Sequence, residues 1–248
     1  MITARTQTQA QRHAADRRLA DQFEPIARAP AVGVVLLEER VLRAGERLYA
    51  EGEPATVPFL VRDGVLRVSV DAQGRSRLVD LVGRGDVIGT AAVEDRPHAE
   101  SVDAAETGAT VHVIDLAATL AGKEHRQAFV SALVRQLVRS RQLADDLGLP
   151  MGARICRILA RLAERLGEEF QGPSAPERGD VPPSGWRHLP FSLTHDDVAL
   201  MAGCARVTAT RVLGELKEAG VLEGARGDYA LVPAALDEAA DRYVWDVI

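Results

Sequence analysis

Two arginines five positions apart, Arg206 and Arg211, carry the most specific chemistry in this sequence. A guanidinium presents a rigid fork of donors, and that fork matches the paired acceptors O6 and N7 of guanine. Both lie in THDDVALMAGCARVTATRVLGELKEAGVL, residues 194–222, which reads as two short helices joined by a tight turn. Val207 falls on the same side as the arginines. Thr208 and Thr210 add hydroxyls and methyls suited to a phosphate or a thymine methyl. The pattern is that of a helix placed in the major groove of DNA.

The flanking residues supply the means to position that helix. Thr194 is an N-cap, and Asp197 three residues later makes a variant capping box. Val198, Met201 and Ala202 are expected to point inward, and Gly203 to make the turn. Val212, Leu213 and Leu216 form the buried face of the second helix. Beyond it, Gly220-Val221-Leu222-Glu223 and Asp228-Tyr229-Ala230-Leu231 flank Gly224-Ala225-Arg226-Gly227. This is a β-hairpin, a wing with Arg226 at its tip and within reach of backbone phosphate.

Residues 32–116 have short alternating runs between glycine turns and are β-rich. Phe59-Leu60-Val61 leads through a turn at Arg62-Asp63-Gly64 to Val65–Val70. Further turns at Asp71–Gly74 and Gly83–Asp86 bracket Leu78–Val82, and Val111–Ile114 closes the series. Turns this regular suggest a compact barrel or roll. Residues 124–149 switch to helical spacing, with Val130, Leu133, Leu137, Ser140, Ala144 and Leu147 as an a/d seam. A narrow seam between polar flanks suggests a dimer helix, the alternative being a helix packed on its own barrel. Gly148-Leu149-Pro150 reads as a hinge, residues 152–168 as an amphipathic helix and 171–185 as a Pro/Gly-rich linker.

Composition sets the outer bounds. The chain has 248 residues, 46% hydrophobic, a net charge of −6 and two cysteines, Cys156 and Cys204, without metal-ligand spacing. A net acidic body limits non-specific nucleic-acid binding without forbidding a local basic contact. No apolar run is long enough to cross a bilayer, and the N-terminus lacks the apolar core of a signal peptide, so a cytoplasmic location is expected. No phosphate loop, metal cluster or nucleophile elbow points to an enzyme. His195 beside Asp196 and Asp197 is better explained by the helix cap than by catalysis.

The order of roll, long helix and winged helix resembles the Crp/Fnr family of bacterial transcription regulators. The resemblance covers about residues 32–232 and rests on Gly45-Glu46, Glu51-Gly52-Glu53, Asp63-Gly64, Gly85-Asp86, Ile88-Gly89 and LTHDDVALMAGCARVTATRVLGEL. It implies an α+β chain: a polar extension (1–25), a cyclic-nucleotide-binding-like β-roll (26–123), a dimerisation helix (124–150) and a winged helix-turn-helix domain (151–248). It implies a homodimer on a palindromic site, with double-stranded DNA and RNA polymerase as partners. By the same match Arg206, Val207 and Arg211 meet bases, and Thr194 and His195 lie near phosphate. The segment Arg206–Arg211 is most similar to the global nitrogen regulator branch. Many relatives carry Glu where this chain has Val207. A valine cannot accept a bond from cytosine N4, so relaxed choice is expected at that base pair.

The resemblance also bears on the signal. A cyclic nucleotide in this family needs a Glu for the ribose and an Arg-Ser pair for the phosphate. In the stretch from Gly89 to Ser101, Thr90 stands in the place of the Glu and Glu100 in that of the Arg. A carboxylate repels phosphate, so cyclic AMP is not expected to bind in the usual way. His98 and His112 are candidate heme ligands, although a lone His on a roll is more often structural. An effector of the 2-oxoglutarate or nucleotide type would lie near Gly89, Thr90, Arg96, Glu100, Ser101, Arg135, Arg139 and Ser140. Here Arg135 matches the nitrogen regulator's ligand arginine, Arg96 could add a second cation, and Ser140 departs from an acidic residue. A constitutive, ligand-free dimer stays open, as does a roll that senses ligand and acts through protein partners instead of DNA.

Overall fold

The computed structural model describes residues 33–72, 74–169 and 185–245. The polar extension 1–25 and nearly all of the proposed linker 171–185 lie outside them. The chain begins with β1 (Leu36–Leu42), β2 (Arg47–Tyr49), β3 (Phe59–Asp71), β4 (Ser76–Val82) and β5 (Val87–Ile88). A 3-10 turn (Thr90–Glu94) and β6 (Ser101–Ile114) complete this part. The sheet order is β1-β6-β3-β4, with β2 also on β6 and β5 also on β3.

The curl of this sheet comes from its two long strands. β3 and β6 pair antiparallel from Phe59–Val113 to Ser69–Ser101, and the register shifts at Val61/Asp63 and again at Gly64/Leu66. Bulges bend a strand and increase its twist, which lets one sheet close on itself. Asp63-Gly64, which reads as a turn in the sequence, is therefore part of one continuous strand. Its glycine is required by close approach, since a Cβ at Gly64 would lie 2.3 Å from the carbonyl oxygen of Gly108. Val111–Ile114 is likewise only the end of a 14-residue strand. Tyr49, Phe59, Val61, Leu66, Val102 and Val111 fill the interior.

Helices follow: α1 (Leu116–Ala121), α2 (Lys123–Asp146) and α3 (Met151–Leu166). Pro150 precedes α3 and separates it from α2, as expected where proline fixes the first turn. Phe129 and Ala132 of α2 pack with Leu60, Val87 and Ile114 of the roll. Leu133 leans onto the same cluster. The seam read from the sequence is thus divided, with Leu133 turned toward the roll. The exposed apolar row is Val130, Val134, Leu137 and Val138, with Leu147 just past the helix end. The 3.6-residue period, set against the roll, decides this rotation.

The last part contains β7 (Glu168–Glu169), β8 (Arg187–His188), α4 (His195–Ala202), α5 (Arg206–Glu218), β9 (Leu222–Ala225), β10 (Asp228–Leu231) and α6 (Pro233–Trp245). Strands β7-β8-β10-β9 form a small sheet. The core here is shared: Val65, Leu78 and Leu81 of the roll pack in one cluster with Ile158 and Leu162 of α3, Val198 of α4 and Leu213 of α5. Among the described residues no helix is long and apolar enough to cross a membrane.

Candidate nucleic-acid interface

The interface begins at the cap of α4. Thr194 Oγ1 accepts a bond from the Asp197 amide at 3.1 Å, and Asp197 Oδ2 accepts from the Thr194 amide at 3.0 Å. Both halves of the capping box are present. This fixes the start of α4, whose Val198, Met201 and Ala202 are buried. Gly203 ends the helix in the left-handed region at φ 63°, where a side chain would be strained. The turn throws the chain into α5, and Ala209, Val212, Leu213 and Leu216 anchor that helix in the core.

The opposite face of α5 is in solvent. Arg206 and Arg211 are exposed, and Val207 has 70% of its surface free. Arg206 Nε lies 3.5 Å from Asp196, and Arg211 pairs with Glu215 one turn along. Exposed pairs of this kind contribute little, so both guanidinium groups remain available. The N-cap is Ala205, with no side-chain bond, and its carbonyl takes the amides of Thr208 and Ala209. Thr208 is half-buried and Thr210 exposed.

His195 departs from a simple phosphate contact. Its Nδ1 is 2.9 Å from Thr210 Oγ1, and its Nε2 is 3.1 Å from Tyr229 Oη. One imidazole thereby ties α4 to α5 and to the wing. Burial, then the charges of Lys217 and Arg206, hold it below the usual histidine pKa, against a smaller opposing effect of Asp196. Its neighbours are hydroxyls that can donate or accept, so the neutral ring is satisfied in either tautomer. The wing is a hairpin in which Leu222–Ala225 pairs with Leu231–Asp228. Arg226 at its tip is exposed, with a positive φ of 56°.

Of the proposed effector residues, Gly89 and Glu100 meet at the hydroxyl of Tyr49. Gly89 donates its amide to Tyr49 Oη at 3.0 Å, and that hydroxyl donates to Glu100 at 3.2 Å. His98, buried, stacks on Tyr49 with ring centroids 3.6 Å apart. Ser101 Oγ accepts from the Glu51 amide. Thr90 opens the 3-10 turn and is half-buried. Arg96 pairs with Glu94 at the loop surface. Arg135 is half-buried on α2, Arg139 pairs with Asp86 at 2.6 Å, and Ser140 bonds the Gln136 carbonyl of its own helix. His112, exposed to solvent in part, pairs with Glu39 on the neighbouring strand.

Arg139 instead lines a cleft between the roll and the last domain, with Asp80, Arg161 and Arg165. Each arginine there has a carboxylate: Arg139 has Asp86, Arg161 has Asp146, and Arg165 has Asp80 and Asp86. The cleft is a charge-balanced seam. No local pattern in the sequence signals this network, because its members are spread from the roll to α3.

A β-roll joined by a long helix to a winged helix-turn-helix, with arginines on the outer face of the second helix, defines a class of transcription regulators. Residues 153–238 match the Crp-like helix-turn-helix domain family, and residues 39–121 match the cyclic nucleotide-binding domain family. The chain is 31% identical to regulatory protein CysR of Synechococcus elongatus over 186 residues, 72% of this chain and 76% of that protein. It is 23% identical to the CRP-like cAMP-activated global transcriptional regulator of Mycobacterium tuberculosis, over 71% of this chain and 75% of that one. A solved CRP-family regulator from Thermus thermophilus shares the fold at a TM-score of 0.64 and 23% identity, covering 84% of this chain and 98% of its own. The chain belongs to the Crp/Fnr family of transcriptional regulators.

Proposed function

We propose that this regulator binds a palindromic DNA site as a homodimer, each protomer laying α5 in the major groove of one half-site. The observation that carries the reading is the outer face of α5. Val207 stands 70% exposed beside Arg206, on a helix whose other face is anchored in the core. Arg206 reads a guanine, Arg211 a second base edge, and Val207 packs on a thymine methyl where a carboxylate would have demanded cytosine. Thr210 and Arg226 bind flanking phosphates. His195 supports that surface from behind.

The exposed row Val130, Val134, Leu137 and Val138 on α2 supports the dimer, because two copies of such a stripe cover one another across a two-fold axis. RNA polymerase is the partner such a dimer would address. DNA binding does not depend on cyclic AMP. By the family match Glu100 replaces the arginine that would hold a phosphate, and its neighbour Tyr49 is already bonded to Gly89 and stacked on His98.

Selection of binding sites from random duplex DNA by the purified protein tests the main reading. A symmetric motif with a guanine in each half-site is expected, and no symmetric motif would overturn it. Calorimetry with cyclic AMP tests the second point. No binding heat at micromolar ligand is expected, and saturable micromolar binding would refute it.

A further inference from the structure

Arg154 lies in the first turn of α3 and is 7% exposed. Its Nε donates to the carbonyl of Asp146 at 3.2 Å. Its Nη2 donates to those of Leu147 at 2.7 Å and Leu149 at 3.2 Å. Its Nη1 crosses to the carbonyl of Ala202 at 2.7 Å. All four acceptors are main-chain oxygens. Asp146 is the last residue of α2 and Leu147 its C-cap, while Ala202 is the last residue of α4.

A helix C-terminus carries orphan carbonyls and a partial negative charge. One buried guanidinium here answers the ends of two helices at once. Its fork is planar, so the two sets of carbonyls are held at a fixed spacing and angle. Asp146 adds a second tie, its buried carboxylate being held by Arg161 of the same helix α3. The chain leaves α4 through Gly203, whose missing Cβ would sit 3.6 Å from Arg154 Nη1, and enters α5 three residues later. This arginine is therefore a direct link between the end of α2 and the turn that aims α5, beside the shared core and the pair of Arg67 with Asp197.

We propose that Arg154 is a positioning residue that sets the separation of the two recognition helices, and so the half-site spacing the regulator accepts. This rests on the reading above, that two protomers joined along α2 bind a palindrome. The recognition helices of such a dimer must sit about 34 Å apart to meet successive major grooves. A small rotation at the joint between α2 and α4 is enlarged at α5, so a loosened joint accepts several spacings where a fixed one accepts a single value.

The test uses the full-length protein, the selected palindrome and versions with one or two base pairs added to or removed from its centre. Affinity is read by fluorescence anisotropy for wild type, Arg154→Lys and Arg154→Met. Wild type should prefer one spacing by about tenfold or more over its neighbours, because an out-of-register half-site loses its base contacts. In the variants that preference should shrink to about threefold or less, while affinity for an isolated half-site stays as in wild type. Arg154→Lys keeps a cation in the site and carries the comparison if Arg154→Met does not fold. An unchanged spacing preference in a folded variant would overturn the proposal and leave the palindrome reading intact. Failure of wild type to prefer any palindrome would instead overturn that reading, and this inference with it.

Discussion

The guanidinium of Arg67, on strand β3 of the roll, pairs with the carboxylate of Asp197, in the first turn of α4. The two lie 130 positions apart in the chain. Asp197 uses one oxygen for this pair and the other to close the cap on Thr194. The roll and the DNA-reading unit thus share a charge pair as well as a hydrophobic core.

Removing either partner should destabilise the protein unequally. Asp197→Ala loses the carboxylate half of the capping box, about 1 kcal/mol, and also strands a mostly buried guanidinium. Arg67→Met leaves a buried carboxylate that keeps its bonds from Thr194. We expect losses of about 2–4 kcal/mol for Asp197→Ala and about 1–3 kcal/mol for Arg67→Met in urea unfolding. The double variant should be less than additive by more than about 0.5 kcal/mol, and strict additivity would mean that the pair is not coupled.

Arg206→Ala and Arg211→Ala should each relax selectivity at one base pair by about 1–3 kcal/mol, roughly 5- to 150-fold. Both side chains are exposed, so the melting temperature should stay within a degree or two of wild type. Competition binding with single-base variants of the selected site distinguishes this from a uniform loss of affinity.

Val207→Glu introduces an acceptor for cytosine N4 at an exposed position on the reading face. Repeating the site selection with this variant should recover a cytosine at a base pair that the wild-type protein leaves open or fills with thymine. An unchanged motif would place Val207 off the DNA.

Leu137→Glu should prevent the proposed dimer from forming. The residue is 69% exposed in the single chain, and two glutamates facing each other across an axis repel. Light scattering should show a monomer with an unchanged far-ultraviolet circular dichroism spectrum, and affinity for the palindrome should fall to that for a half-site.

Acid should weaken the fold through two histidines. Burial holds His195 and His98 below the usual histidine pKa. Each is therefore neutral more readily in the folded chain than in the unfolded one. The resulting stability is complete above the unfolded value of about 6.5 and is lost as pH falls through the lower folded value. Denaturant midpoints measured from pH 7.5 to 5 should decline. His195→Asn and His98→Asn should each flatten that slope, and an unaltered slope in both would refute the assignment.

The DNA-reading unit was legible from residues alone because its signals are local. Thr194 and Asp197 cap within three residues, Gly203 makes its turn with bonds only to carbonyls of the preceding helical turn, and Val212, Leu213 and Leu216 repeat at the helical period. The strands were less legible. Asp63-Gly64 has turn composition, yet the ladder to Ala109 and Thr110 carries it through as a bulge. α6 has no distinctive motif, and its place comes from packing against α3 and a bond from Tyr243 to Glu215 of α5.

What the sequence determined by itself was the class of fold and the cap, turn and buried face of its helix-turn-helix, since these depend on neighbours a few residues apart. The tertiary structure decided the rest. It chose which side of α2 meets the roll, turning Leu133 inward and leaving Val134 and Val138 exposed. It drew His195 into a bridge between α4, α5 and the wing. It also set Arg154 between the ends of α2 and α4. The physical reason is common to these cases. Carbonyls at a helix end carry no residue identity, and a side chain's partner many positions away is fixed only when the elements pack.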